Sequence, residues 1–201
     1  MKKTITLLAI CLFAMAANAQ VTFRPGIRAG VNISKITQTD FDAKADFYAG
    51  GFGAIKFTRF YTLQPEITYS RQGAGGSPEY YDYNTGTYER YDQDVSIQYL
   101  SFGLINKFTF NDQFNVHVGP AIDFETGSNV RTNSEADLAI MAGVGYTFPF
   151  GLTLEARVKK GIVDVLETDD YNSSFWVDDY NTNFLFQIGL SYSFDVKGAT
   201  K

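Results

Sequence analysis

From position 61 the chain reads Tyr61-Thr62-Leu63-Gln64-Pro65-Glu66-Ile67-Thr68-Tyr69-Ser70, with apolar and polar side chains in strict alternation. An extended chain points successive side chains to opposite faces, so period two held over ten residues marks a strand with two chemically distinct sides. The same alternation recurs after residue 20 in eight segments: 23–34, 47–58, 60–72, 95–110, 114–125, 137–148, 151–162 and 183–194. Nothing of helical period lies between them. Strands in globular proteins average about 5–6 residues. Segments of about 11 suit strands that cross a bilayer at a slant, which need about 9–11 residues.

The connections sort by length. Segments two and three are separated by little more than Arg59, four and five by Asn111–Gln113, and six and seven by Pro149 and Phe150. The other four connections are long: about 35–46, 73–94, 126–136 and 163–182. In an up-and-down antiparallel barrel, alternate connections fall at opposite ends. One end therefore has tight turns and the other large loops, as in outer-membrane barrels with short periplasmic turns and long outside loops. Phe57, Phe60, Tyr61, Phe108, Phe110, Phe114, Phe148, Phe150, Tyr192 and Phe194 gather at the short-turn end, where a girdle of aromatic rings meets the headgroups. Closing eight strands leaves no unpaired edge, which hydrocarbon would not tolerate. The expected fold is all-β: an eight-stranded, up-and-down antiparallel transmembrane β-barrel.

Three places strain a simple register. Pro65 and Pro120 each lack a ladder donor, and a local bulge is expected at each. In the fourth segment Val95, Ile97 and Tyr99 alternate in one phase and Leu100, Phe102 and Leu104 in the other. A register shift near Gln98–Leu100 would reconcile them.

With the apolar face toward lipid, the opposite face carries Arg28, Lys56, Glu66, Lys107, Asp123, Glu125, Glu155, Arg157 and Lys159. An eight-stranded barrel is just wide enough for side chains to fill. These nine residues are expected to form an ion-pair network that plugs the lumen. Inward glycines, among them Gly30, Gly50, Gly103, Gly119, Gly143, Gly145, Gly161 and Gly189, would leave room for the long side chains. Parity alone does not say which face is which. A soluble periplasmic lipid-binding barrel would put the apolar face inside, and only the loop sorting and the aromatic end favour the membrane.

The first residues, MKKTITLLAICLFAMAANAQ, have a basic start, an apolar run from Ile5 to Ala17 and an Ala17-Asn18-Ala19 cleavage signal. Residues 1–19 are expected to be a cleaved signal peptide and 20–201 the barrel with a short C-terminal tail. Cys11 is the sole cysteine, so the exported chain has no disulfide. Without Lys2 and Lys3 the basic side chains fall from 17 to 15 against 22 acidic. That balance argues against nucleic acid as a partner.

No catalytic constellation is visible. His117 is the single histidine; its nearest partners in parity, Ser101 and Asp123, have no motif spacing to it. There is no H-E-x-x-H, no G-x-S-x-G and no metal-ligand spacing. Gly73–Gly76 enters a loop with no lysine or helix after it, so it is no phosphate cradle. No enzyme activity, metal or cofactor is expected. The long loops hold the remaining chemistry: Tyr80, Tyr81, Tyr83, Tyr88 and Tyr91 in one, and Tyr171, Trp176 and Tyr180 in another, all among acidic residues. Such rings give large contact area at low entropic cost. They are candidate binding residues on a solvated hairpin turning at Asn84–Gly86.

Several stretches resemble one family. Gly26–Ser34 (GIRAGVNIS), Leu63–Gly73 (LQPEITYSRQG), Tyr99–Phe110 (YLSFGLINKFTF), Val118–Phe124 (VGPAIDF) and Gly143–Val165 resemble, in order, strand motifs of PorT-like outer-membrane β-barrels of Bacteroidota. The likeness spans residues 22–194; Gly103, Val158 and Ile162 depart from it. It implies an integral outer-membrane address and an eight-stranded barrel of the OmpA/OmpX type. It does not imply one activity, although some relatives assist protein secretion. Expected partners are outer-membrane lipid and lipopolysaccharide, and envelope or host proteins met through the loops. An accessory role in an outer-membrane secretion system is the alternative.

Overall fold

The structure is a computed structural model that describes residues 21–37, 42–76, 79–82, 86–90, 93–132, 134–162 and 182–195. Residues 1–20, which hold the expected signal peptide, 163–181 and the tail at 196–201 lie outside the described residues. The described residues form ten strands: β1 (Thr22–Ile36), β2 (Asp42–Lys56), β3 (Tyr61–Gly76), β4 (Glu79–Asp82), β5 (Thr87–Arg90), β6 (Gln93–Phe110), β7 (Phe114–Ser128), β8 (Ala136–Thr147), β9 (Leu152–Gly161) and β10 (Asn183–Ser193). Eight of them close into one antiparallel barrel in the order β1-β10-β9-β8-β7-β6-β3-β2, and β4 and β5 form a separate hairpin.

Following one row of paired residues shows how the barrel is sheared. It runs Lys56–Thr62–Lys107–His117–Gly143–Arg157–Gln187–Asn32 and returns to β2 at Asp46, ten residues from where it left. Closure with that stagger requires tilted strands, about 35–45° from the barrel axis. It also places residues from distant positions of the sequence side by side on the inner wall.

Turns at one end are tight. Phe110–Gln113 closes with Gln113 N donating to Phe110 O at 3.3 Å. Its central residues, Asn111 (φ 52°) and Asp112 (φ 58°), are left-handed, which Asn and Asp tolerate better than other side chains. Rings collect there: Tyr61 lies 5.5 Å from Phe108, Phe148 lies 5.5 Å from Phe150, and Tyr192 lies 5.2 Å from Phe194.

Burial separates the two faces. Ile27, Val31, Ile67, Phe102, Val118, Leu154, Ile188 and Leu190 are exposed on the outside, while Arg28, Asn32, Glu66, His117, Glu155 and Arg157 are buried within. So broad an exposed apolar surface is not stable against water. The soluble lipid-binding barrel is thereby overturned, because its greasy side would have to face inward.

Two local expectations are also corrected. Neither proline makes a bulge. The β2–β3 ladder passes from Phe52↔Glu66 to Ile55↔Leu63 in unchanged register, skipping the pairs around Pro65. The β6–β7 ladder likewise passes from Gly103↔Ala121 to Asn106↔Val118, skipping those around Pro120. A missing N–H interrupts the ladder on one side without adding a residue. Gly73–Gly76 is strand rather than loop, paired through to Gly76↔Gln93.

The phase change expected in the fourth segment has a different cause. A bulge does fall between Gln98 and Tyr99, but the extra residue is Thr126 on β7: Gln98 faces Gly127 and Tyr99 faces Glu125. β6 itself keeps its phase. Val95, Ile97 and Tyr99 point inward, as do Ser101, Gly103 and Ile105 further down. Val95, Ile97 and Tyr99 pack with Ile36 and Ala74 in an inner apolar cluster, with Val130 against it. Asp94, Ser96 and Gln98 occupy the outside there. The barrel therefore continues beyond the lipid at the long-loop end, with 18 residues in β6 and 16 in β3 against the 9–11 or so that a bilayer needs. Where water replaces lipid outside, the apolar side chains turn in.

Candidate functional site

The inner wall carries one main charged cluster. Glu66 on β3 accepts from Arg28 Nη1 on β1 at 2.8 Å and from Arg157 Nη1 on β9, also at 2.8 Å. Glu155 on β9 accepts from Arg157 Nη2 at 3.0 Å, from Lys107 Nζ on β6 at 3.2 Å and from Ser191 Oγ on β10 at 3.0 Å. Arg28 Nη2 lies 3.7 Å from Glu155 Oε2. Every member except Lys107 is almost wholly buried. Burying charge is costly unless each partner is matched, and here three cations surround two carboxylates, with Arg157 Nη1 donating to both oxygens of Glu66 and Nη2 to Glu155.

The glycines make this possible. Glu66 sits opposite Gly103, Arg157 opposite Gly143, Arg28 opposite Gly50, and Glu155 between Gly145 and Gly189. A Cβ at Gly143 would stand 2.6 Å from His117 Nε2 and 2.8 Å from Arg157 Cγ. Large side chains thus lie over neighbours that have none.

Lys159 and Asp123 form a second pair, with Lys159 Nζ 2.6 Å from Asp123 Oδ1 and 3.0 Å from Ser101 Oγ. Ser101 and Asp123 do meet, but His117 is not with them. Its Nδ1 lies 3.1 Å from Asn115 Oδ1, and its Nε2 has no hydrogen-bond partner among the described residues.

Two of the nine inward charges stand apart. Lys56 is exposed at the short-turn mouth and makes no ion pair among the described residues. It lines a cavity of about 340 Å³ there with Arg24, Thr62, Gln64, Lys107 and Thr153. Shear places Lys56 at the bottom of its strand, out of reach of the carboxylates. Glu125, beside the bulge, has an Oε2 without a hydrogen-bond partner among the described residues and joins neither group.

Neutral residues complete the wall. Tyr48 lies under Arg28, whose guanidinium is 4.9 Å from the ring centre. Asn32 donates to Ser70 Oγ at 2.8 Å and accepts from Gln187 at 2.7 Å. Their inward parity was readable, but nothing in a neutral side chain singled them out. Of the loop aromatics, Tyr80 and Tyr81 fall on β4 and Tyr88 on β5, with Tyr81 paired to Tyr88; Tyr88 is exposed. Tyr83, Tyr91, Tyr171, Trp176 and Tyr180 lie outside the described residues.

A closed sheet without edges, greasy outside and charged inside, defines a transmembrane β-barrel. The chain belongs to the outer membrane protein β-barrel domain family, whose model matches residues 4–194. It is therefore an integral outer-membrane barrel. Among solved structures it is similar to Neisserial surface protein A (13% identity over 86% of this chain and 97% of that one, TM-score 0.53). Ail of Yersinia pestis (13%, 87% and 99%, TM-score 0.48) and OprG of Pseudomonas aeruginosa (12%, 89% and 100%, TM-score 0.46) also match. Identities this low speak to fold alone. No curated protein sequence matches the chain.

Proposed function

We propose that this is a non-catalytic outer-membrane barrel with a plugged lumen, which acts through its long outside loops in surface contact and envelope integrity. The observation that carries the reading is the cluster of Arg28, Glu66, Lys107, Glu155 and Arg157, contributed by four strands and joined across the lumen. An ion crossing that layer would have to part matched charges in a low dielectric. With the centre occupied, the β4–β5 hairpin and the other outside loops are the surfaces left for recognition. Within the family we place the chain among PorT-like barrels of Bacteroidota, on the ordered motifs from Gly26 to Val165. Its partners on this reading are outer-membrane lipid and lipopolysaccharide around the wall, and envelope or host proteins at the loops; no cofactor or metal is required.

Two measurements test it. The refolded barrel in a planar bilayer is expected to give no steady conductance steps at neutral pH; a stable ohmic pore rejects the plugged lumen. In cells lacking the protein, dye exclusion is expected to be restored by the full chain and not by a chain with short turns in place of 79–90 and 163–181. Full restoration by the shortened chain rejects the loop role.

A further inference from the structure

Among the described residues, the lipid-facing wall carries charged side chains only near its outer rim. Lys35 on β1 and Lys160 on β9 point outward, both exposed, each between two buried inward residues. They fall in one row: Lys35 pairs with Phe184 on β10, and Phe184 pairs with Lys160. Two ammonium groups therefore flank one exposed ring, on strands about 10 Å apart. Neither has an ionic partner among the described residues. Two ion pairs lie near this rim: Arg71 with Asp46 at 3.4 Å, and Asp94 with Lys44 at 2.7 Å.

Height decides what the pair can meet. Lys160 stands eight residues above Leu152, or about 26 Å of strand, which the tilt reduces to about 20 Å. The apolar band of such barrels is about 25 Å tall. Its ammonium thus lies just below the outer headgroups, within reach of a four-carbon stem that keeps its methylenes in the hydrocarbon. An ammonium at that height is attracted to anionic headgroups. Phe184 between the two offers acyl chains a flat apolar seat at the same level.

We propose that Lys35, Phe184 and Lys160 form a docking site for a phosphorylated glycolipid of the outer leaflet, the lipid A moiety of lipopolysaccharide. The two lysines bind its phosphate oxygens and Phe184 packs on its acyl chains. The site rests on the reading that lipopolysaccharide is among the barrel's partners, and it says where on the wall that lipid sits.

The test is native mass spectrometry of the folded full-length barrel in micelles. It is titrated with diphosphoryl lipid A and with the same lipid stripped of phosphate. A lysine near a charged membrane surface contributes on the order of 1 kcal/mol, so Lys35→Gln and Lys160→Gln are each expected to weaken phosphorylated lipid A binding about fivefold and together about 25-fold. Binding of the stripped lipid should change little. Lys56→Gln, at the opposite mouth, should leave both untouched. If wild-type barrel does not distinguish the two lipids, the partner reading fails and the site with it. If it does, but the double variant binds as tightly as wild type, or Lys56→Gln weakens binding as much, the partner stands and this site is wrong.

Discussion

Arg157 on β9 and Glu66 on β3 stand on opposite sides of the barrel, four strands apart in either direction, and their side chains meet at 2.8 Å. This contact ties the two halves of the wall together through the centre. Arg157 is among the largest side chains that are fully buried. Gly143, opposite it on β8, has no side chain to compete for the space.

Removing one partner leaves the other charged and incompletely matched. Arg157→Met is expected to destabilise the barrel by about 3 kcal/mol in urea unfolding followed by heat-modifiable gel mobility. Glu66→Met should be comparable. The double variant should lose at least about 1 kcal/mol less than the two singles combined, because they act on one contact. Strict additivity would mean that the contact contributes nothing as a pair.

The glycine rows can be probed by size. Gly143→Ala puts a methyl group against Arg157, His117 and the carbonyl of Ala156, at 2.5 Å from the last. A cost of about 1–3 kcal/mol is expected from such overpacking. Gly51→Ala, whose added methyl group would come no nearer to a neighbour than 3.6 Å, at the Gly26 carbonyl oxygen, serves as the tolerant comparison in the same unfolding assay.

Inward parity is not enough to make a charge structural. Lys56→Ala should fall within about 0.5 kcal/mol of wild type, as for an exposed side chain without special contacts. Lys107→Ala should cost more, since it strips Glu155 of a bond at 3.2 Å. Equal stabilities for the two variants would show that the position of Lys107 in the cluster carries no energy.

The reversal of faces along β6 predicts opposite outcomes at neighbouring positions. Ile97→Ala should lose about 2–5 kcal/mol by opening a cavity in the inner cluster with Ile36 and Tyr99. Gln98→Leu, on the outside above the lipid, gives up the bond its Oε1 accepts from the Tyr69 hydroxyl at 2.8 Å and should cost only about 1 kcal/mol. Further down, Ile67→Arg places a cation in the apolar belt and should cost about 2–4 kcal/mol if it reaches the midplane. A larger loss from Gln98→Leu than from Ile97→Ala would put the inner and outer faces of this stretch the wrong way round.

Most of the architecture was legible because alternation, segment length and loop sorting are local properties. The eight segments correspond to β1, β2, β3 and β6 to β10, and the turn at Asn111–Gln113 is where its composition put it. Strand ends were less legible. β2 starts at Asp42 rather than near Phe47, and β3 runs through Gly76, since ladder bonds to a neighbour continue where the local pattern has faded. In the lumen, parity put Arg28, Glu66, Asp123, Glu155 and Arg157 on one face, but parity says nothing about height. Lys56 and Glu125 share that face and miss the clusters, because shear carries them below one and above the other.

By itself the chain determined its strands, its two faces and the inventory of charges on the inner one, since each depends on the chemistry of residues one or two positions apart. The tertiary structure decided which charges meet and which face is greasy at each height. Closure with a ten-residue stagger brings Arg157 to Glu66 across 91 positions of sequence. The change from lipid to water outside β6 turns Val95 and Ile97 inward with no shift of that strand's own register. Both depend on distance and medium in three dimensions, which no period in the sequence encodes.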